Sequence, residues 1–355
     1  MTPESGYARR RSMLAAEIGD ADALLVTAPT NVRYLTGFTG SNGSVLIDRA
    51  GPDRLYTDPR YTARAEQEAP GIAVEIVADA LMATLPPVAG RRLAVEARHL
   101  DWHRAQRLQT RAAAHHVQIV ATTGMVERLR RIKDANEIEQ LREACRITTS
   151  ALATTMEELR PGVTERETAV SLERRMIDLG AEAIAFPSIV ASGPNGAIPH
   201  HTPTERRIGR RELVTIDCGA VVGGYHADCT RTVAVGEPSP QLHRAYEVVR
   251  HAQESGRDAV RTGRSISQVD AACRAVIDEA GFAHAFVHPT GHGVGLDVHE
   301  WPTVADGVHA TIEPGMVLTV EPGVYLAEIG GVRIEDTIAV LDDGLEVLTD
   351  LPREL

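Results

Sequence analysis

Residues 214–232, VTIDCGAVVGGYHADCTRT, constrain the fold more than any other stretch of the chain. Two apolar runs flank the glycine pair at 223–224, a pattern that predicts a β-hairpin. Asp217 and Asp228 lie in these runs, although aspartate is depleted in strands and costly to bury without a partner. If the strands pair about Val222-Gly223, the carboxylates lie directly opposite each other, which predicts a proton or cation between them. Two solvated aspartates near a turn are the alternative.

Composition and charge argue against several kinds of partner. The 355 residues predict two domains, and 43% hydrophobic with 24% charged residues is typical of a globular protein. The net charge of −12 predicts no nucleic-acid or anionic-membrane partner, since both select for clustered lysine and arginine. The four cysteines have no CxxC spacing, and we expect neither a signal peptide nor a membrane span. We therefore predict reduced thiols and a cytoplasmic location.

Residues 1–130 alternate strand-like and helix-like patterns, which predicts an α/β domain. The sequence changes near residue 130, where a charged segment leads into a capping-box helix start at Asp134. We therefore predict a second domain over 131–355. The strand-like runs of the first domain lie at 23–27, 44–48, 54–58, 74–77, 92–97 and 117–122.

The second domain contains a weak internal repeat. GVTERETAVSLERRMIDLG (162–180) and GRSISQVDAACRAVIDEAG (263–281) have the same length, and each has a capping box near its start and a glycine at its end. The repeat predicts two similar halves with a site where they meet. Chance similarity is the alternative, because caps and glycines are common.

Histidines concentrate in two glycine-rich and proline-rich stretches. FVHPTGHGVGLDVHEWP (286–302) carries His288, His292 and His299. Its prolines and glycines make a helix implausible, so we predict a loop that can approach a ligand closely. The second stretch, 188–203, is a strand pattern that runs into a loop ending in a histidine pair. Ordinary exposed histidines are the alternative for both stretches.

Two glutamates complete the candidate site. Glu321 precedes Pro322, which favours an extended conformation. GVRIEDTIAV (331–340) has a strand pattern that places Arg333 and Glu335 on one face. Taken singly, each of these charged residues is more typical of a solvated surface.

As a set, these residues predict a metal centre. Four carboxylates and one imidazole suit two divalent cations sharing a bridging hydroxide, and oxygen-rich sites of this kind favour Mn²⁺, with Co²⁺ or Zn²⁺ possible. Such paired ions lie roughly 3.5–4 Å apart. The five residues are Asp217, Asp228, His292, Glu321 and Glu335.

The ordered motifs IDCGAVVGGYHADCTRT, HPTGHGVGLDVHEWP, VEPGVY and VRIEDT resemble the pita-bread metallopeptidases, which include Xaa-Pro aminopeptidases and prolidases. The resemblance covers 134–355, and NVRYLTGFTGSNG (31–43) with YTDPRY (56–61) resembles the extra domain of the proline-specific members and of creatinase. It implies an α/β creatinase-like domain followed by an α+β pita-bread domain with a pseudo-twofold repeat.

The resemblance also implies a role for each site residue. Asp217 binds one metal, His292 and Glu321 bind the other, and Asp228 and Glu335 bridge them. Glu321 doubles as the general base. The residues expected to line the substrate site or support the metals are His200, His288, His299, Tyr325 and Arg333.

The function implied is hydrolysis of the bond before a proline at the second position, by a metal-bridging hydroxide. Some prolidases have arginine after HEWP, where it can clamp a dipeptide carboxylate, whereas this chain has Thr303. We therefore predict an Xaa-Pro aminopeptidase, with a prolidase as the alternative and a non-catalytic binding module as the remote one. The resemblance further implies a homodimer.

Overall fold

The structure is a computed structural model and describes residues 3–355. The chain divides into two compact units, residues 1–130 and 131–355. The predicted capping box is present at the start of the second unit, where the Asp134 side chain accepts hydrogen bonds from two backbone N–H groups of the first helical turn.

Within residues 3–130, the first unit is an α/β domain with six strands and five α-helices interspersed along the chain. In order they are α1 (Pro3–Glu17), β1 (Ala23–Val26), α2 (Pro29–Thr36), β2 (Gly43–Asp48), β3 (Arg54–Thr57), α3 (Thr62–Glu68), β4 (Ala73–Ile76), β5 (Arg92–Glu96), α4 (Trp102–Ala114), β6 (Gln118–Thr122) and α5 (Met125–Arg130). The strands form one sheet in the order β4-β3-β2-β1-β5-β6, so every strand predicted for this domain is found. The central strand β1 is buried along its whole length, as expected for a strand covered on both faces.

The second unit is an α+β domain with two pairs of helices among its strands. Its helices are α6 (Ala135–Glu158), α7 (Glu165–Asp178), α8 (Pro240–Ala259) and α9 (Ile266–Glu279). Its strands are β7 (Ala183–Ile184), β8 (Ile189–Ser192), β9 (Glu212–Cys218), β10 (Ala220–Val222), β11 (Tyr225–His226), β12 (Cys229–Val235), β13 (Gly291–Gly293), β14 (Glu300–Val304), β15 (Val317–Val320), β16 (Gly323–Leu326), β17 (Gly330–Arg333), β18 (Asp336–Leu341) and β19 (Gly344–Val347).

The internal repeat is present in the structure. The helices α7 and α9 each have 14 residues, and a capping box precedes each. The two capping residues, Thr164 and Ser265, each form an isolated antiparallel bridge, to Arg207 and Thr311. Because equivalent residues make equivalent long-range contacts, the similarity of the two stretches reflects a structural repeat and not chance.

The first hairpin turns one residue later than predicted. Val222 pairs with Tyr225, so the turn consists of Gly223 and Gly224, both with positive φ, as the tight turns that match strand twist require. In this register Thr230 lies opposite Asp217. The predicted direct pairing of Asp217 with Asp228 is therefore wrong. The two aspartates are diagonal neighbours, and since side chains alternate with a period of two, they share one face.

The second acidic motif is also a hairpin, and it is interrupted. The predicted single strand over 331–340 is wrong, because β17 ends at Arg333 and β18 begins at Asp336 in a different sheet. On the opposite side, β15 ends at Val320 and β16 begins at Gly323. Each of the two sheets thus contains one half of this bent hairpin.

Both halves of the second unit have buried hydrophobic cores. One core lies among α6, α7 and the strands β8, β9 and β12, and the other among α8, α9 and the strands β15–β18. All four cysteines are buried and unpaired, in agreement with their interpretation as small core residues. Within residues 3–355, no helix combines the length and the apolar character needed to cross a bilayer.

Candidate metal centre

The first hairpin places two carboxylates where the strand pairing changes. Asp217 lies near the end of β9, and Asp228 lies between β11 and β12. Gly219 makes this local path possible, because a Cβ atom there would lie only 1.9 Å from the carbonyl oxygen of Ala227. Thr337 Oγ1 donates to the carbonyl oxygen of Asp228 at 2.8 Å and ties this turn to β18.

The bent hairpin places the two glutamates directly opposite each other. Val320 pairs with Asp336 and Gly323 pairs with Arg333 in the same register, so Glu321 faces Glu335 across the interruption. The backbone N–H groups here bond to other elements: Glu321 N donates to Thr290 O at 2.7 Å, and Glu335 N donates to Thr230 O at 3.1 Å. The two glutamates thus lie outside the regular strand pairing, and their backbone N–H groups still have hydrogen-bond acceptors.

His292 lies in the short strand β13 and not in the loop predicted from its glycines. Its backbone N–H donates to Thr319 Oγ1 at 3.0 Å, and its Nδ1 donates to the carbonyl oxygen of Gly293 at 3.0 Å. This bond leaves Nε2 directed at the carboxylates, 3.3 Å from Glu321 Oε1 and 3.5 Å from Asp228 Oδ2. An Nδ1 held by a carbonyl is a common way to orient a metal-binding imidazole.

The structure gathers three of the five predicted metal ligands at one point, with Glu321 bonded to one of them and Asp217 near enough to act electrostatically on two of them. Candidate ligand atoms of Asp228, His292 and Glu335 all lie within 4.8 Å of one another. Asp217 Oδ1 and Glu335 Oε1 are buried and have no hydrogen-bond partner among residues 3–355. Since buried polar atoms are almost always paired, two orphaned carboxylate oxygens in an acidic cluster fit divalent cations.

The pKa directions of the cluster agree with that fit. Burial and the neighbouring carboxylates raise the pKa of Asp228 and of Glu335 well above their usual values. Burial opposes ionisation of Glu321 too, but its hydrogen bond with His292 holds its pKa below the usual value. Carboxylates so close together repel one another, and a bound cation removes the repulsion.

Arg333 links the cluster to two aromatic side chains. Its Nη2 donates to Asp217 Oδ2 at 2.6 Å, and its Nη1 donates to Tyr325 Oη at 2.9 Å. Tyr325 Oη in turn donates to His288 Nε2 at 2.8 Å, because His288 Nδ1 donates to the carbonyl oxygen of Pro289. Arg333 is 3% exposed, so its ion pair with Asp217 is buried and not the solvated surface pair considered as the alternative.

Two further histidines are exposed beside the cluster. The ring of His299 lies edge-on to His292, with centroids 4.3 Å apart. Burial and then His292 lower the pKa of His299, and His200 contributes in the same direction. His200 likewise contributes to the lowered pKa of His288, which burial dominates. The three histidines predicted to line the substrate site therefore lie near enough to interact electrostatically.

The sequence analysis missed the residues that support the ligands from behind. Thr230 Oγ1 donates to Glu335 Oε2 at 2.8 Å. The guanidinium of Arg231, 1% exposed, donates to the carbonyl oxygen of Glu335 and to Asp336 Oδ1. An arginine and several threonines within otherwise apolar strand patterns are a signal that could have found them, since such residues are rarely buried without a partner.

This fold and acidic cluster define a metallopeptidase, and comparison with known proteins identifies the family. Residues 139–342 match the model of metallopeptidase family M24, and residues 10–132 match the creatinase/prolidase N-terminal domain. The chain belongs to metallopeptidase family M24 and is an enzyme of its Xaa-Pro peptidase group, with the pita-bread fold.

Relatives match over nearly the whole length. An Xaa-Pro dipeptidase of Pyrococcus furiosus is 34% identical over 343 residues, which cover 94% of this chain and 95% of that protein. The structure of an Xaa-Pro dipeptidase from Bacillus anthracis superposes with a TM-score of 0.93 at 38% identity and covers 99% of both chains. That of an X-Pro aminopeptidase from Thermotoga maritima has a TM-score of 0.87 at 33% identity, covering 96% of this chain and 98% of the other.

Proposed function

We propose that this protein is an Xaa-Pro dipeptidase that hydrolyses the amide bond between the first residue and proline. The observation that carries the proposal is the buried cluster of four carboxylates and His292 beside exposed histidines. Full-length similarity to proteins named Xaa-Pro dipeptidase supports the dipeptide as substrate. This reverses the order of the two activities favoured by the sequence alone.

Divalent cations fit the cluster and, when bound, would acidify a water molecule and polarise the scissile carbonyl. We propose Mn²⁺ for the oxygen-rich ligand set. The residues that would hold the ions are Asp217, Asp228, His292, Glu321 and Glu335. The cytoplasmic location and the homodimer stay predictions from the sequence.

The remaining steps use groups of the chain itself. Glu321 is placed to accept a proton from the attacking water and to return it to the leaving nitrogen. His299 and His200 are exposed at the site and can donate to the carbonyl oxygen as it gains negative charge. Both ring nitrogens of His288 already form hydrogen bonds, to Pro289 and Tyr325, so we propose that His288 orients Tyr325 and does not bind the substrate.

An Xaa-Pro aminopeptidase acting on longer peptides is the second candidate, and one observation favours it. Thr303 lies directly opposite His292 in the pairing of β13 with β14, and it is exposed. Cross-strand partners place their side chains on one face, so Thr303 stands beside a metal ligand. Its short neutral side chain offers no cation to a dipeptide carboxylate and leaves room for a longer peptide.

Product analysis separates the two activities. The Mn²⁺-loaded protein is incubated with Ala-Pro and Ala-Pro-Gly-Gly together, and products are identified by mass spectrometry beside an EDTA-treated control. We expect alanine and proline from Ala-Pro, little cleavage of the tetrapeptide, and no cleavage with EDTA. Release of Pro-Gly-Gly at a comparable rate would establish the aminopeptidase instead. A protein inactive on both peptides would contradict the whole assignment.

Thr303→Arg tests whether this position controls peptide length. We expect the preference for Ala-Pro over Ala-Pro-Gly-Gly, measured as a ratio of kcat/KM values, to rise by about 10-fold, because a guanidinium can pair with the dipeptide carboxylate. Thr154→Arg, on the exposed side of α6, is the matched control and should leave the ratio unchanged. An unchanged ratio in Thr303→Arg would remove this position from substrate recognition.

A further inference from the structure

The loop that carries His200 is held at both of its ends by one buried carboxylate. Glu165, the first residue of α7, is fully buried. At one end of the loop it accepts hydrogen bonds from the backbone N–H of Ser192 at 2.8 Å and from its hydroxyl at 2.7 Å. At the other end it accepts from the backbone N–H of Thr204 at 3.1 Å and from its hydroxyl at 2.7 Å.

Two side chains from within the loop also bond to Glu165. Asn195 Nδ2 lies 3.0 Å from Oε1, and His201 Nε2 lies 2.9 Å from Oε2. His201 is thus buried against this carboxylate, whereas the adjacent His200 is exposed. Since neighbouring residues of the chain point in different directions, fixing His201 inward directs His200 outward.

The middle of the loop is attached to the metal centre itself. The carbonyl oxygen of Pro199 accepts a hydrogen bond from Arg333 Nη1 at 3.2 Å, and Arg333 is paired with Asp217. The loop also packs closely against β17, because a Cβ atom at Gly331 would lie 2.0 Å from the carbonyl oxygen of Gly196. His200 therefore directly follows Pro199, which is bonded to Arg333, and both ends of its loop are bonded to Glu165.

We propose that Glu165 is a positioning residue for the hydrolysis, which acts by holding His200 where it can contact the substrate. The inference rests on the proposed function, because it requires His200 to contact the substrate. None of the bonds of Glu165 described above joins it to a proposed metal ligand or to His200. A glutamine keeps one acceptor oxygen but turns an NH2 group towards the other donors, so a single substitution should loosen the ends of the loop.

Hydrogen exchange of Glu165→Gln tests the positioning without substrate. We expect the amide N–H groups of Ser192 and Thr204 to exchange about 10-fold faster or more, because their acceptor is weakened. Glu173→Gln is the matched control on the same helix: among residues 3–355 its carboxylate accepts only the backbone N–H of Ser188, which precedes the loop. Unchanged exchange at 192 and 204 in Glu165→Gln would overturn the proposal, whatever the substrate.

A double-mutant cycle with His200→Ala then tests the link to catalysis. We expect Glu165→Gln to lower kcat/KM on Ala-Pro about 10-fold in the parent protein and about 2-fold or less in His200→Ala, with Mn²⁺ content unchanged in both. Losses that multiply, or a loss of Mn²⁺, would show that Glu165 acts through general stability and would refute the proposal. If His200→Ala alone has full activity, the fault lies in the proposed role of His200.

Thr204→Val provides a second variant in case Glu165→Gln does not fold. It removes one hydroxyl donor and keeps the carboxylate, so the fold should survive with a smaller effect in the same direction. Faster exchange around 204, with a drop in activity that disappears in His200→Ala, would support the proposal. An effect of equal size with and without His200 would count against it.

Discussion

At the residue scale, the candidate site concentrates negative charge that the protein compensates only in part. Arg333 pairs with Asp217, and His292 lies beside Glu321 and Asp228, but no arginine or lysine hydrogen-bonds to the carboxylate of Asp228 or Glu335 among residues 3–355. Their mutual repulsion opposes folding of the metal-free protein and favours binding of divalent ions. Function and stability therefore make opposite demands on the same side chains.

Glu335→Gln separates these two demands. We expect the variant to lose bound Mn²⁺ and activity, since a neutral amide binds a divalent cation more weakly than a carboxylate does. In EDTA its Tm should equal that of the parent or exceed it by a few degrees, roughly, because one source of repulsion is removed. Metal analysis and thermal unfolding in EDTA check both outcomes. A variant that keeps its full Mn²⁺ content would contradict the ligand assignment.

Glu165 predicts a specific acid dependence of stability. Burial would raise its pKa, but the hydrogen bonds from His201, Ser192 and Thr204 lower it to about 2 from the usual 4.5. A carboxyl whose folded pKa is depressed stabilises the fold above its unfolded pKa, here by about 3 kcal/mol, and that contribution disappears as the pH falls through the folded value.

The parent should therefore be more stable than Glu165→Gln at pH 7, with a gap that narrows below about pH 4.5. Urea unfolding of both proteins at several pH values measures the gap. A gap that does not depend on pH would show that the carboxylate charge is not the stabilising group.

At the element scale, two hairpins perform similar tasks by different distortions. In the first, Gly219 and the turn at 223–224 offset the strands so that Asp217 and Asp228 become diagonal neighbours. In the second, Glu321 and Glu335 face each other where both strands pass from one sheet to another. Each distortion takes at least one acidic residue out of the regular strand pairing, and this allows its carboxylate to point towards the acidic cluster.

Gly219→Ala tests the first distortion. The added methyl group would meet Ala227 O and, at 2.9 Å, the side chain of Ala185, so the hairpin must shift. We expect a loss of about 3 kcal/mol in the free energy of unfolding and weaker Mn²⁺ binding. Gly6→Ala is the control, because nothing lies within 4 Å of a methyl group there and the helix α1 should gain stability. Equal, small effects of both substitutions would contradict this account.

At the scale of the whole molecule, the two units have separate cores, and the five proposed metal ligands lie in the second unit. A ligand that binds only the folded state stabilises the unit that contains its site, by about 2.7 kcal/mol at 100 times its dissociation constant. Metal binding should therefore affect the two units unequally.

We expect Mn²⁺ to slow hydrogen exchange across 131–355 and to leave most of 1–130 unchanged. The Asp217→Ala/Glu335→Ala double variant is the control and should show no response to Mn²⁺ while keeping its fold. Exchange measured with Mn²⁺ and with EDTA decides the outcome. Equal slowing in both units, or a response in the double variant, would place the stabilising metal elsewhere.

Many of the secondary-structure elements and the candidate ligand residues could be predicted from short segments of the sequence. Strand alternation, caps and glycines are properties of short segments, so the strands of the first unit, the repeat helices α7 and α9, and both acidic motifs could be recognised without the fold. The ligand types also follow from the residues alone, since carboxylates and an imidazole in apolar strands need a partner.

What only the tertiary structure decided is where these segments meet. The register of Asp217 and Asp228 depends on whether the turn forms at Val222-Gly223 or at Gly223-Gly224, and both pairs contain the glycine that such a turn needs. The opposition of Glu321 and Glu335 depends on strands that change sheets. The burial of Arg231 and Glu165 depends on contacts with residues far along the chain. Local preference cannot determine such placements, because their free energy comes from long-range packing and hydrogen bonding that exist only in the folded molecule.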